Sequence, residues 1–390
     1  MPLTYPGKPR QPKDGLLSAE AMEDEGDAPR YPLMGAWMCQ TFFPWTMPLL
    51  YGLAWAVLRA RAPRRCRPNA QAARLIEMAM APYSSSLYPV LALALERQHF
   101  MVDSEPPRPC FDLGLTATGG PWLCPQEHSL AGETTAARLR HLVGSDQAHR
   151  LAVVDPEALP FADESLGTYR MNNVIQRYLN RRGPLDEAFR VLKPGGIVQI
   201  SDVTSGWVES MWPTWLAGRL GLQKLKRQLI RGKLQDTQEV LAPGPHWWAE
   251  NLCTERWELL ALRPFFSQPS LRLASLFESM NFKQGGPSPI WIEEKLRRHG
   301  WLARLYRGLI RGLAQLLMEL DDQFTRACGG AFVMVTLRKR GQLPDSEAET
   351  PHWCCPACHR PLGPQLNCSC STGYPAEGGI ALLGADLCPC

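Results

Sequence analysis

The stretch from Arg150 to Val203 constrains the fold most. An apolar run (Arg150–Val154) leads into the loop Asp155–Ser165. A helical pattern over Leu185–Leu192 then ends at Lys193-Pro194-Gly195-Gly196, and a second apolar run, Ile197–Val203, follows. Short apolar runs bounded by turn residues read as buried strands. Proline's missing donor and glycine's access to positive φ end the intervening helix. Strands alternating with helices in this way predict a parallel α/β sheet. The same reading predicts helices over 70–82, 86–98, Thr134–Val143 and Leu271–Met280, and one or two more over Trp291–Leu320. It predicts further strands at Cys110–Leu115, before the Gly119-Gly120 pair, and at Ala331–Leu337. Residues 204–268, rich in Trp and Leu, read as a helical insertion whose aromatics form the core of a lid.

The 390 residues allow two or three domains. With 45% apolar and 21% charged residues the chain is a folded protein, and a net charge of only +4 argues against nucleic acid as its partner. Residues 1–30, with an acidic run and little to bury, read as a disordered tail. Tyr31 to Leu58 carries no charge over 28 residues and is followed by Arg59, Arg61, Arg64, Arg65 and Arg67. Pro44 and Pro48 interrupt it, so 31–68 is either an N-terminal helical lid packed on the main domain or a membrane-associated segment. Arg304, Arg307 and Arg311 share one helical face opposite Leu302, Leu305, Leu309, Leu313 and Leu316, and Lys224 to Lys233 is a second basic run. Such faces meet solvent, a membrane surface or phosphates.

Two motifs inside 151–203 carry a resemblance. Asp155-Pro156-Glu157-Ala158-Leu159-Pro160-Phe161 and Phe189-Arg190-Val191-Leu192-Lys193-Pro194-Gly195-Gly196 occur in the order and at about the spacing of two family motifs. The segment resembles the class I S-adenosylmethionine-dependent methyltransferases of the small-molecule type. The resemblance implies a Rossmann-like, doubly wound α/β sheet with helical insertions over 70–340. It implies S-adenosylmethionine as cofactor, with Asp155 meeting the adenine amino group and Glu157 and Leu159 in the same loop. Asp112 and Gly114 match the start of the family's glycine-rich first motif, while Thr116 and Thr118 stand where glycines belong. Pro156 lacks the backbone donor that meets the adenine ring. Glu133 is the nearest candidate for the acid that grips the ribose, with no convincing strand before it, and Ser165-Leu166-Gly167 leaves another acidic position empty. Asn172, Asn173, Gln176 and Arg177 fall where the family's substrate-facing loop lies, or cap the next helix; no catalytic residue is assigned. The implied function is methyl transfer to a small or lipophilic acceptor. The alternative is an inactive methyltransferase-like scaffold.

Seven of the 13 cysteines lie between Cys354 and Cys390. After a linker at 341–350, residues 351–390 carry Cys355-Pro356-Ala357-Cys358 and then Cys368-Ser369-Cys370. Two close cysteine pairs on tight turns are a zinc signature, with Cys355, Cys358, Cys368 and Cys370 as ligands and Cys354 as a substitute. With Tyr374-Pro375 and Gly379-Ile380-Ala381-Leu382-Leu383, the module resembles the short zinc ribbons of the tRNA-methyltransferase activator type. That resemblance implies a site for a protein partner. Cys388 and Cys390 read as a free pair, and the six upstream cysteines as buried thiols. Clustered metal-type cysteines fit a reducing, cytoplasmic setting.

Overall fold

The computed structural model describes residues 49–60, 70–83, 87–100, 107–114, 129–134, 150–178, 181–237, 255–281, 300–343 and 352–384 (apart from 364, 371–372 and 378), together with Leu139 and Trp248. The expectations for the 1–30 tail, the first part of the uncharged run, Thr116 and Thr118, most of the Thr134–Val143 helix and the 344–350 part of the linker lie outside these residues. So do those for Cys39, Cys66, Cys124, Cys253, Cys388 and Cys390.

Nine described strands form one sheet. In chain order they are β1 (Cys110–Leu113), β2 (Ser129–Glu133), β3 (Leu151–Val153), β4 (Leu166–Asn172), β5 (Leu192–Val203), β6 (Trp257–Ser267), β7 (Gly330–Lys339), β8 (Ala376–Glu377) and β9 (Ile380–Leu382). Their order across the sheet is β6-β7-β5-β4-β1-β2-β3-β9-β8. β1 to β5 pair in parallel, and β7 runs antiparallel between β5 and β6. The α/β expectation holds. Residues 257–267 depart from the predicted helical insertion, which among the described residues is helical over most of 205–237, at Trp248 and again from Gln268. They pair with β7 along most of their length, so an exposed edge position hides a strand whose apolar pattern is weak.

The helices are α1 (49–60), α2 (Ala70–Tyr83), α3 (Leu87–Phe100), α4 (Arg182–Val191), α5 (Ser205–Ser210), α6 (Trp212–Arg219), α7 (Gln223–Thr237), α8 (Gln268–Asn281) and α9 (Gly300–Cys328). α1, α2, α3, α5, α8 and α9 build one apolar core with Val203, Phe265, Phe332 and Met334. The second core joins Phe111, Tyr169, Val198 and Val335 to α4 and to Trp353, Cys355, Cys368 and Tyr374 of the cysteine module. The aromatics expected to form one lid are therefore split: Trp207 belongs to the first core, Trp248 and Trp257 to the second. Leu305, expected opposite the arginine face of its helix, is exposed, and among the described upstream cysteines Cys110 is buried while Cys328 is exposed.

Lys193–Gly196 does more than stop α4. Leu166 pairs with Leu192 and Thr168 with Ile197, so the four residues bulge out of β5. Gly195 has φ +77°, and a Cβ there would lie 2.6 Å from the Leu343 amide nitrogen. Lys339, buried, reaches into the same corner. Its ammonium donates to the carbonyls of Phe189 (3.0 Å) and Leu192 (2.8 Å) and to Glu164 (2.9 Å).

Strand β3 reaches β4 through residues 154–165 without a helix, although a parallel crossover usually carries one. Side chains of α4 hold this loop. Arg190 donates to the carbonyls of Phe161 (2.8 Å) and Leu159 (3.0 Å) and pairs with Glu187 and Asp163. Glu187 in turn accepts the Leu159 N–H at 2.7 Å. Replacing Arg190 with Ala strands two carbonyls and a carboxylate, and costs about 2–4 kcal/mol of stability. Denaturant unfolding of R190A measures it, and Arg190→Lys recovers only part because one ammonium cannot reproduce the guanidinium fork.

Candidate functional site

In an open α/β sheet, ligands bind beyond the carboxyl ends of the strands where the strand order reverses. That point here lies between β1 and β4. Gly114 ends β1 with φ +82°, and a Cβ on it would collide with the Asn172 carbonyl oxygen at the end of β4. Its N–H donates to the Gly132 carbonyl at 3.0 Å. The glycine is required by both its φ and its neighbour. β2 ends on Glu133, so a strand does precede that acid, contrary to the expectation. Glu133 is fully buried, and its carbonyl accepts the Val154 N–H at 2.9 Å.

Asp155 follows β3 and folds its carboxylate back onto the Glu157 N–H at 2.9 Å, a turn that uses one of its two oxygens. Glu157 is exposed, and partial burial, with the Asp155 charge beside it, pushes its carboxyl up. Leu159 has no exposed surface and sits in the second core, so it secures the loop from below. Pro156 offers no donor, and the Glu157 donor is already used. Gly114, Glu133 and Asp155 thus reach the carboxyl ends of three neighbouring strands.

Asp112 lies on β1 two residues before Gly114, beside Arg170 of β4, whose guanidinium donates to its carboxylate at 2.9 Å. Arg170 also donates to Gln199 of β5 at 2.9 Å. This buried row crosses three strands on one sheet face. Beyond it, Asn173 (φ +51°) donates to Asn172 at 2.8 Å and to Glu96 of α3 at 3.1 Å, and Gln176 donates to Asn173 at 3.1 Å. Asn172, Asn173 and Gln176 therefore come together as a polar cluster at the switch point.

Glu96 is the member that the sequence reading missed. Burial pushes its carboxyl up to about 7, against partial relief from Ser201, Asn172 and Arg97. The signal was present: the apolar residues of Leu87–Leu95 run around every side of α3, so the charged residues at its end are carried inside with them. A carboxyl titrating near neutrality in this crevice can give or take a proton.

The sulfur atoms of Cys355, Cys358, Cys368 and Cys370 lie within 4.8 Å of one another. The Cys355–Cys370 and Cys358–Cys368 separations are 3.8 and 3.3 Å. Four thiolates at about 2.3 Å from a tetrahedral zinc stand about 3.8 Å apart, so the donor set fits that ion. Positive φ at His359 and Leu366 folds the two turns, and the Tyr374 hydroxyl lies 3.1 Å from Cys355 Sγ as an outer-shell partner. Cys354 falls outside this group. It pairs with Pro361 and its N–H donates to the Pro160 carbonyl at 2.8 Å.

The module docks on the sheet. β9 pairs in parallel with β3, the Leu383 N–H donates to the Val153 carbonyl at 2.8 Å, and Trp353 packs 5.5 Å from Phe161, ring to ring. The ribbon and the Asp155 loop therefore share strand β3 and the core beneath it.

The described sheet is mixed α/β and Rossmann-like. The family model described as a methyltransferase domain matches residues 130–200. No curated protein sequence matches the chain. Among solved structures it is similar to the (4+2) cyclase SpnF, at 16% identity over 69% of this chain and 81% of that one, with a TM-score of 0.32. It is similar to a Haemonchus contortus phosphoethanolamine N-methyltransferase solved with S-adenosylmethionine, at 14% identity, 63% and 52% coverage and a TM-score of 0.34. A chain from the complex of the Haloferax volcanii Trm112 methyltransferase activator with a methyltransferase matches at 12% identity, 70% and 96% coverage and a TM-score of 0.32. Identities this low assign neither substrate nor partner.

Two measurements follow from the site. Glu96 goes from 4.5 to about 7 on folding, so the native state holds more protons between these values and stability falls as pH rises through that window. The fall is on the order of 3 kcal/mol by pH 8. Glu96→Gln removes it, and thermal unfolding from pH 5 to 8 reads the difference; Asp321, pushed up to about 6 by burial, titrates in both proteins and cancels. The ribbon is expected to bind about one zinc per chain. Zinc analysis of reduced protein checks this, with less than half an equivalent counting against the site. Cys358→Ser lowers both zinc content and the unfolding temperature.

Proposed function

We propose that the chain binds S-adenosylmethionine at the carboxyl ends of β1, β2 and β3 and transfers its methyl group to a small or lipophilic acceptor. The observation that carries this reading is the placement of Gly114, Glu133 and Asp155 on three adjacent parallel strands beside the switch point. Gly114 lets the backbone approach the cofactor, Glu133 takes the ribose hydroxyls, and Asp155, with one carboxylate oxygen uncommitted to its own turn, takes the adenine amino group. Asp112 and Glu157 flank these positions. Methyl transfer from a sulfonium asks for alignment and exclusion of water more than for strong acid–base groups. The Asn172–Asn173–Gln176 cluster with Glu96 is where an acceptor would be oriented. Zinc in the ribbon is structural in this reading, holding β9 against β3.

A second reading has its own support. Asp112 is taken by Arg170, Pro156 lacks an amide hydrogen, and the Glu157 amide is turned to Asp155. A scaffold that keeps the fold and presents its ribbon to a protein partner would have these features. Calorimetric titration of the zinc-loaded protein with S-adenosylmethionine separates the two. The enzyme reading expects about one site per chain, weakened about tenfold by Glu133→Gln. Absence of binding by the folded protein leaves the scaffold reading.

A further inference from the structure

α1 is apolar on the side that meets the protein and on the side that meets water. Tyr51 is fully buried, its ring stacked at 4.0 Å on Phe277 and edge-on at 5.4 Å to Tyr306 of α9, and Ala54 and Leu58 pack on the same core. These positions recur at i, i+3 and i+7, one helical stripe. The rest of the helix points away. Leu49, Leu53, Trp55 and Val57 are 73, 62, 41 and 43% exposed. A helix that is apolar all round belongs in a core or a membrane environment. The expected lid is thus half the account, because docking on the domain uses one side of α1 only.

The patch continues onto α9. Tyr51 meets Tyr306, and a Cβ on Gly312 would lie 3.4 Å from the Trp55 indole nitrogen, so the two helices run side by side. Trp301 and Leu305 on the first turns of α9 are 57 and 45% exposed. Among the described residues, seven of the twelve exposed large apolar side chains fall on these two segments. Such a concentration marks an interaction surface. Arg59, Arg304, Arg307 and Arg311 are exposed around it, and Arg311 is paired with Glu77 of α2. Neither 49–60 nor 300–318 contains a single Asp or Glu.

We infer that this face docks on the surface of an anionic phospholipid bilayer. The leucines and Val57 enter the acyl boundary, Trp55 and Trp301 sit at headgroup depth, and the arginines meet lipid phosphates. Charge decides among the occupants. A second copy of the chain, packed face to face, would set like-charged arginine rims against each other, and neither 49–60 nor 300–318 brings an Asp or Glu to that contact. An RNA backbone would bring phosphates onto leucine. An anionic bilayer satisfies both halves of the patch. No described helix is long and apolar enough to cross a membrane, so the contact lies in the plane of the surface. The inference does not rest on the cofactor site and holds for enzyme and scaffold alike.

The test is flotation of the full-length protein with phosphatidylcholine vesicles, with and without phosphatidylserine. The protein floats with the phosphatidylserine vesicles at low salt and less at high salt. Leu53→Glu and Arg304→Glu each reduce partitioning roughly tenfold. Both positions are exposed, so thermal unfolding is unchanged and the loss is not one of folding. Failure to float with anionic vesicles overturns the inference, as does flotation indifferent to both substitutions. So does sedimentation equilibrium showing a lipid-free dimer that Leu53→Glu dissociates, or an RNA gel shift lost in Arg304→Glu without vesicle binding.

Discussion

The guanidinium of Arg190 is the contact on which the site depends. It grips the carbonyls of Leu159 and Phe161 while Glu187, one turn earlier on α4, takes the Leu159 N–H. A loop that crosses from β3 to β4 without a helix has few backbone partners of its own, and buried backbone groups must find some. α4 supplies them from its side chains. The loop is therefore set at a fixed height over the sheet, and Asp155 at its start is set with it. The two sequence motifs of this region, separate in the chain, are donor and acceptor of one polar contact.

The face left open by the missing crossover helix is closed by the ribbon. Trp353, Cys355, Cys368, Tyr374 and Leu383 enter the same apolar core as Phe111, Phe161 and Tyr169, so the cysteine module is an integral layer of the domain. Two of its contacts act on strand β3 and the Asp155 loop directly: β9 extends the sheet, and the Cys354 N–H takes the Pro160 carbonyl. The stability of the ribbon, to which thiolate ligation of a zinc ion would contribute in a module this small, is thereby coupled to the position of the loop. The opposite face follows another logic. There the Asp112–Arg170–Gln199 row buries a charge pair within the sheet. Such a pair contributes little net stability, and removing one partner alone is costly.

The parts of this arrangement that were legible in the sequence are those with strong local chemistry. Lys193–Gly196 announces a break because proline and glycine fix or free the backbone wherever they stand. The cysteine spacing announces the cluster of four sulfurs because two close pairs on tight turns bring their thiols together. β2 was not legible, since Ser129-Leu130-Ala131-Gly132-Glu133 has no β-branched residue and becomes a strand through burial between β1 and β3. β6 was hidden by its edge position, where an uneven burial pattern replaces alternation. Glu96 is legible only from the apolar pattern of the whole helix and not from its neighbours in the chain. The docking of three residues of β9 on β3 has no local signal at all.

The two acids that best match the cofactor motifs show how the same fold bears on two functions. Asp155 spends one oxygen on its own turn and keeps the other. Asp112 spends an oxygen on Arg170, which is itself held by Gln199, so releasing it would leave a buried guanidinium short of its counter-charge. The cost of freeing an acid for a ligand is thus small at β3 and large at β1. In the proposed reading, a cofactor bound here would gain its polar contacts at the adenine and ribose end, from Asp155 and Glu133. Its methionine end would depend on the backbone beside Gly114 and on the asparagine cluster. That division turns on the neighbouring strand: Arg170 stands opposite Asp112 in register, while Asp155 lies past the last registered pair of β2 and β3, Glu133 with Val153.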